Sequence, residues 1–397
     1  MLYALTLADD HNLPVTTGDR FFFVEGARLL ASGHGFVHPF VWLAAHRDAA
    51  SAGHPPLWTT VLAPLAKIGA DGYEAARLAG AFAGAAAVGV IGLIGRRVAS
   101  ARAGLWAAAF AAVYLPWVVG DTTGMSEALY LLFVALTVLT VFVARDSGRA
   151  ALAIGAGACA GLAALTRTEG LLLVPLVAWP VLWGRGAGAR WALPLATTVA
   201  VVVVIAPWTA RNAVALDRFV LVSTNESTVL AGANCRETYY GRDTGSWRPE
   251  CLARATRPDS LAGYDEGVLA GRWSSAGRAY ARDHVGRLVT VVAPVRVLRT
   301  WRLWQPTREG RLSEGENTEV AKVAAFVFLF LLLPGGVLGL VIARLPHDRL
   351  LVLAALAVMV TFTSAIGWGA PRFLRPAELA LLVGAGAGLA VTRKRQA

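Results

Sequence analysis

Charge is scarce in this chain: only 16% of its 397 residues are Asp, Glu, Lys or Arg, where a soluble globular chain carries about a quarter. That shortage excludes one large soluble domain. Strand-like alternation of apolar and polar residues is missing, which argues against a transmembrane β-barrel. There is no P-loop, no CxxC pair and no HExxH, so phosphate-cradle, thiol-redox and zincin chemistries lack their signatures. His34 and His38 have helical spacing, but Gly33, Gly35 and Pro39 argue against the helix that would aim both at one metal. No cofactor is expected, and a divalent metal is left without support. A net charge of +11 would suggest nucleic acid in a soluble protein, but no basic helix or aromatic-basic module is present, so nucleic acid is excluded as a partner.

Apolar residues are abundant: 56% of the chain, with a mean hydropathy of +0.54. They fall into blocks close to the ~20 residues that a bilayer core requires. Backbone in lipid must satisfy its own hydrogen bonds, so these blocks read as helices. Nine are expected to cross, at residues 76–95, 104–120, 125–144, 150–166, 170–184, 191–208, 321–343, 350–367 and 377–392. Arg96, Arg97 and Arg102 follow the first block, Arg145 and Arg149 the third, and Arg185 and Arg190 the fifth. Arg344, His347 and Arg349 follow the seventh, and Arg393, Lys394 and Arg395 the ninth. Basic loops stay cytoplasmic, so every odd-numbered block ends inside and the C-terminus is cytoplasmic. The fold class that follows is an all-α polytopic membrane protein with its chemistry in the loops of the outer face.

The expected organisation has five parts. Residues 1–8 read as the remnant of a first transmembrane helix. Residues 9–75 form a first outer loop with two interfacial helices, one over Thr17–Ser32 and one over Pro55–Gly69. Residues 76–208 form a six-helix core, and 209–320 an outer loop that is partly folded. Residues 321–397 supply three more helices and a basic tail. Parity requires Pro55–Gly69 to lie in the interface, because a crossing there would put nearly every basic loop outside. In the long loop, Arg296–Trp304 reads as an interfacial helix anchored by Trp301 and Trp304. Cys235 and Cys251 flank a polar segment and are the disulfide candidates, provided the loop faces an oxidising compartment. Tyr239, Tyr240 and Trp247 suit either glycan stacking or the core of that loop.

Candidate chemistry collects on the outer side. Asp19, Asp121 and Glu127 are the candidate catalytic acids, and Asp9 and Asp10 are further acids of the first loop. Asp19 also suits a plain helix cap. His54 opens the string His54-Pro55-Pro56-Leu57, where two prolines fix the backbone as it re-enters the interface. Arg77, Arg167 and Arg211, with Arg372 and Arg375, supply guanidiniums suited to phosphate. His54, Arg77, Arg167 and Arg211 are the candidate substrate-binding residues. Carboxylates beside arginines suit a lipid phosphate next to a hydroxyl nucleophile.

Several strings, taken in order, resemble a known group. They are Gly18-Asp19-Arg20-Phe21-Phe22, Ala31-Ser32-Gly33-His34-Gly35-Phe36, His54-Pro55-Pro56-Leu57 and Ala76-Arg77-Leu78. Met125-Ser126-Glu127-Ala128-Leu129, Leu165-Thr166-Arg167-Thr168-Glu169-Gly170 and Ala206-Pro207-Trp208-Thr209-Ala210-Arg211-Asn212 follow. Together they resemble the C-type (GT-C) membrane glycosyltransferases of the protein O-mannosyltransferase and aminoarabinose transferase group, family 39-like. The resemblance implies a GT-C-like helical bundle in a bacterial plasma membrane. It implies inverting sugar transfer from a polyprenyl-phosphate donor to a lipid, glycan or protein hydroxyl on the outer face. Asp19 stands at the group's first-loop catalytic acid, His54 at the start of its second interfacial helix, and Arg77 at its arginine opening the next crossing. Asp121 or Glu127 stands near its second acid. Many members have Asp-Glu in the first loop, whereas Asp19 is followed here by Arg20. A transporter or flippase and a non-catalytic scaffold are the rival readings; a transporter needs ionisable residues deep in several helices.

Overall fold

The computed structural model describes residues 18–70, 72–184, 190–255, 264–308 and 318–392. The expected helix remnant at residues 1–8, with Asp9, Asp10, Arg185 and the basic tail, lies outside these residues. The described chain is helical; its one β contact is an isolated bridge between Val37 and Ala50.

The N-terminal segment, expected as the first outer loop, holds α1 (Gly18–Ala31), α2 (Pro39–Ala45) and α3 (Leu57–Lys67). The bundle begins with α4 (Tyr73–Val98), α5 (Ala101–Val113), the short α6 (Leu115–Gly120), α7 (Glu127–Ser147) and α8 (Ala150–Thr166). It continues with α9 (Thr168–Leu182) and α10 (Ala192–Ala215). The long loop folds into α11 (Asn225–Ala233), α12 (Arg236–Tyr239), α13 (Pro249–Ala255), α14 (Glu266–Asp283) and α15 (residues 285–300). The last helices are α16 (Glu319–Ala343), α17 (His347–Ile366) and α18 (Pro371–Thr392). Among the described residues six helices are long and apolar enough to cross a membrane, and α5, α8 and α9 are shorter apolar helices. The chain is a multi-pass membrane protein.

Prolines account for the irregular places. The expected crossing 104–120 breaks at Tyr114, because Pro116 cannot continue the hydrogen-bond ladder of α5. In α9 a π turn spans Val174–Ala178, around Pro175 and just before Pro180. Similar π turns precede Pro294 and Pro334, since each missing N–H frees a carbonyl one turn upstream. At 11 residues, α3 spans only about 16 Å, half a bilayer core.

Close packing uses the abundant Ala and Gly. A Cβ at Gly157 would overlap the Thr197 carbonyl of α10, and one at Gly339 the Gly384 carbonyl of α18. Small residues let helix backbones meet where lipid supplies no hydrophobic drive. Thr197 is fully buried and donates across the same contact to the Ala153 carbonyl at 3.1 Å. α7 is the central helix, with Leu131, Val134, Val138 and Phe142 wholly enclosed. α10 and α16 instead leave Val199, Val203, Phe330 and Val341 exposed, as lipid-facing helices do.

The basic ends meet at one end of the bundle. Arg97 of α4 reaches Asp146 of α7 at 3.0 Å, Arg349 of α17 reaches it at 2.8 Å, and Arg145 pairs with Asp348 at 3.1 Å. These partly exposed pairs join three helix ends at one place, so the network aligns them. The start of α5 (Ala103) and the end of α18 (Ala387, Ala390) cluster nearby with Ala343.

At the opposite end the long loop is bolted to the N-terminal segment. Glu266 accepts from Ser51 Oγ at 2.5 Å, from Ala52 N at 2.7 Å and from Thr224 Oγ1 at 2.8 Å. The run Arg296–Trp304 does more than lie in an interface. Arg296 donates to the Ala233 carbonyl and Arg299 to the Thr244 and Arg242 carbonyls, each at 2.6 Å. Both arginines are buried, and Trp301 donates to Thr361 of α17 at 3.2 Å. Tyr239 is fully buried and donates to Asn234 at 2.7 Å, so it serves as loop core. Cys235 and Cys251 are joined as a disulfide, leaving Cys159 as the free thiol. Alkylation of denatured, unreduced protein should therefore label Cys159 alone, and reduction should add two labels. Closing a loop of this length is worth about 3 kcal/mol in the chain-entropy picture. Three labels without reductant would show the bond absent.

Candidate active site

Four helix starts and one helix end deliver the polar groups of this end of the bundle to one place. Asp19 lies in the first turn of α1, Glu127 in that of α7 and Glu169 in that of α9. The positive end of a helix dipole favours an ionised acid at such positions. Arg167 stands where α8 stops, its backbone extended at φ −152° and ψ 126°, and Arg372 opens α18. His54 precedes the Pro55-Pro56 pair that leads into α3.

Arg372 links the acids. Its Nη1 lies 3.3 Å from Asp19 Oδ2 and 3.7 Å from Glu127 Oε1. Arg167 donates to Glu127 Oε1 at 2.8 Å and to Glu169 Oε1 at 2.6 Å. The Phe373 ring lies 4.9 Å from the Arg167 guanidinium and 5.4 Å from that of Arg372. Trp368 adds a second aromatic face, 5.4 Å from Arg372 and 5.0 Å from Phe373. Trp247 of the long loop stands 6.3 Å beyond it. His54 Nε2 lies 3.6 Å from Asp19 Oδ1, with the rings of Phe22 and Phe23 at 4.6 and 4.9 Å.

Electrostatics sets the protonation states. Burial works to raise Asp19, but His54, once protonated at low pH, and the guanidiniums of Arg372 and Arg167 outweigh it and hold the carboxyl below its ordinary value. His54 moves down chiefly because burial disfavours the imidazolium, despite the adjacent Asp19. Asp19 is thus an ionised acceptor beside a neutral imidazole. Burial works to lower Arg167, yet Glu169 and Glu127 push it up and keep it cationic.

Other candidates are used elsewhere. Asp121 pairs with Arg375 of α18 and sits against Gly80 and Gly84 of α4, where any Cβ would strike it. The second acid facing Asp19 through Arg372 is Glu127, because Asp121 is held in that glycine notch. Arg211 is likewise spent on backbone: it donates to the Ser51 carbonyl at 2.8 Å and the Phe36 carbonyl at 2.6 Å. Arg77 has buried Nε and Nη2 atoms without a protein partner, which leaves them open to an anion. His34 pairs with Asp48 at 2.9 Å, whereas His38 packs among Phe22, Phe40 and Tyr264. Burial drops His38 to about 4, and the two do not share a ligand. Among the described residues the one group of three ligand types within 4.8 Å is Cys235, Glu237 and Cys251, and its two sulfurs are bonded to each other.

Tyr130, Trp368 and Phe373 carried no sequence signal beyond apolar surroundings. Glu226 showed only as part of a sequon-like Asn225-Glu226-Ser227. Desolvation pushes its carboxyl up, with Thr168 hydrogen-bonded to it in opposition and Glu169 adding repulsion.

Residues 53–210 match the family described as dolichyl-phosphate-mannose-protein mannosyltransferase. No curated protein matches the sequence. The fold is similar to that of the oligosaccharyltransferase AglB from Archaeoglobus fulgidus, in complex with an inhibitory peptide and a dolichol-phosphate. That likeness has a TM-score of 0.54 at 14% identity, over 95% of this chain and 46% of that one. The apo form of the archaeal enzyme gives 0.55 at 14%, over 95% and 47%. ArnT from Cupriavidus metallidurans bound to undecaprenyl phosphate gives 0.43 at 18%, over 95% and 74%. This chain spans less than half the length of the archaeal chains it matches. The family match bears out the resemblance to C-type membrane glycosyltransferases, and the archaeal structures bear out the GT-C-like all-α fold.

Proposed function

We propose that this chain moves a sugar from a polyprenyl-phosphate donor to a hydroxyl acceptor at the outer face of a bacterial plasma membrane, with inversion at the anomeric carbon. The observation that carries this reading is the interleaving of acids and guanidiniums: Arg372 between Asp19 and Glu127, and Arg167 beside it across Phe373. A lipid phosphate lying between Arg167 and Arg372 would share both guanidiniums with the carboxylates. The archaeal oligosaccharyltransferase of similar fold is seen with a dolichol-phosphate, a ligand of the same class. The arginines clustered at the opposite end of the bundle mark the expected cytoplasmic side, and on that orientation the acids and guanidiniums face outward.

In the reaction, the acceptor hydroxyl oxygen attacks the anomeric carbon from the face opposite the phosphate. Its proton passes to Asp19, while the bond from the anomeric carbon to the phosphate oxygen breaks. The electron pair leaves on the lipid phosphate, whose added charge Arg167 and Arg372 neutralise. His54, held neutral 3.6 Å away, leaves the Asp19 charge uncancelled. Most ionisable residues of the described spans sit near helix ends, as Glu127, Arg145, Arg349 and Arg372 do, and the more deeply placed Glu378 is satisfied by Tyr114 and Trp117, which favours chemistry at a membrane surface over transport through the midplane.

The test is sugar transfer by the full chain in proteoliposomes, from polyprenyl-phosphate hexoses and pentoses to a mixed hydroxyl acceptor pool. Product anomeric configuration would be read by NMR. Transfer with inversion supports the reading; retention of configuration would reject the single-displacement step. Donor binding without turnover would favour a scaffold.

A further inference from the structure

Two buried polar atoms beside Arg167 have no protein partner. Glu127 gives Oε1 to Arg167, but its Oε2 is unbonded. One turn along α7, the Tyr130 hydroxyl is also unbonded. The residues are only 4% and 3% exposed. Positions i and i+3 share one helix face. The Arg167 guanidinium lies 5.9 Å from the Tyr130 ring centroid, so both atoms flank one cation of the site. Buried polar groups are ordinarily satisfied, and a phenylalanine would fill this volume without leaving a hydroxyl over.

We propose that Glu127 Oε2 and Tyr130 Oη form a two-point clamp for ring hydroxyls of the donor sugar, which makes Tyr130 a specificity-determining residue. The inference rests on the lipid-phosphate sugar donor assigned above. A carboxylate only accepts, so Glu127 takes a hydroxyl that donates, while the phenol donates to a neighbouring sugar oxygen. The negative charge of Glu127 repels a phosphate. The anion therefore belongs on the guanidinium side and the neutral sugar on the Glu127–Tyr130 side. Sites built to bond a substrate hydroxyl discriminate strongly, because a ligand lacking it leaves their buried groups unpaired.

The test uses the full chain in lipid nanodiscs, with wild type beside Tyr130→Phe. The probes are bare undecaprenyl phosphate and undecaprenyl-phosphate mannose, glucose and galactose, with binding read by tryptophan quenching. In the variant, affinity for the bare lipid phosphate should stay at the wild-type value. Affinity for the best sugar-bearing lipid should fall roughly 10-fold, the size of one lost hydrogen bond, and the ranking of the three sugars should compress. The thermal midpoint without ligand should not fall, since only an unbonded hydroxyl is removed. An unchanged ranking and affinity in Tyr130→Phe would overturn the clamp. Equal losses for bare and sugar-bearing lipid would also overturn it, by placing Tyr130 at the phosphate. So would a wild type that binds bare and sugar-bearing lipids alike. Transfer measured on the same wild-type sample reports on the proposed function separately, since sugar-selective binding does not require turnover.

Discussion

Asp19→Asn should reduce sugar transfer by roughly 10²- to 10⁴-fold, the usual contribution of a positioned base, while leaving binding of bare lipid phosphate nearly intact. The amide keeps the size of the side chain and removes its ability to accept a proton. It also removes the ion pair with Arg372 at 3.3 Å; with the Asp19 side chain about 35% exposed, that loss should be small in stability. Asp121→Asn is the contrasting variant. Its partner Arg375 is buried, so losing the charge should lower the thermal midpoint, with activity falling only as folded protein is lost. If the Asp121 variant loses turnover at full stability and the Asp19 variant does not, the base has been assigned to the wrong acid.

The pH dependence follows from the same geometry. Asp19 lies below its ordinary value of 3.8 because nearby cations outweigh the effect of burial. Its basic form is therefore complete above the ordinary carboxylate range, and its acid limb in the transfer rate should appear below that value. The sign for stability agrees: a carboxyl depressed in the folded state contributes fully above its unfolded value and loses that contribution as pH falls through the folded one. His54 is depressed from 6.5 chiefly by burial, so no limb from it should appear at that value. A rate that halves near pH 6.5 and moves with His54→Gln would contradict a neutral His54.

Arg167→Gln should be strongly destabilising, costing about 3–5 kcal/mol, as expected when one partner of a buried pair is removed. Arg167 is the direct partner of Glu127, which then keeps only Arg372 at 3.7 Å, and Glu169 loses its contact at 2.6 Å. Arg167→Lys should recover only part of this, because an ammonium cannot present the fork that reaches both acids. The double variant Arg167→Gln/Glu127→Gln removes the uncompensated carboxylate and should regain much of the stability without regaining phosphate affinity. Thermal unfolding in nanodiscs and lipid-phosphate binding separate the two effects. Retention of wild-type phosphate affinity in the stable double variant would take Arg167 out of the donor site.

Crossings, their order and their common basic end were legible in the chain because lipid imposes local rules. Each span needs its own long apolar block, and arginines flank the same-facing ends. Arg97, Asp146 and Arg349 accordingly meet at one end. The breaks in α5–α6 and α9 were not expected, since 104–120 and 170–184 read as continuous crossings; they fall at Pro116 and Pro175, where a missing N–H acts within one turn. Glu127 and Arg167 stood out as charges at the edges of apolar blocks.

Which of those charges belong together was decided only in three dimensions. Asp19 and Arg372 are 353 residues apart, both lie outside the matched segment 53–210, and no local pattern relates them. Asp121 and Glu127 look interchangeable in the sequence, six residues apart beside the same turn. Packing separates them: Gly80 and Gly84 open a notch that takes Asp121 to Arg375, while α7 carries Glu127 to Arg167. Arg211 resembled a phosphate ligand until the N-terminal segment placed two carbonyls within its reach. Tyr130 was one more aromatic in an apolar block, and only its burial without a partner marks it. Membrane insertion constrains each helix separately, so the sequence alone marks the apolar blocks that become helices, while their breaks and lengths appear only in the structure. Pairing of buried charges depends on how helix ends converge, so the tertiary structure decides the site.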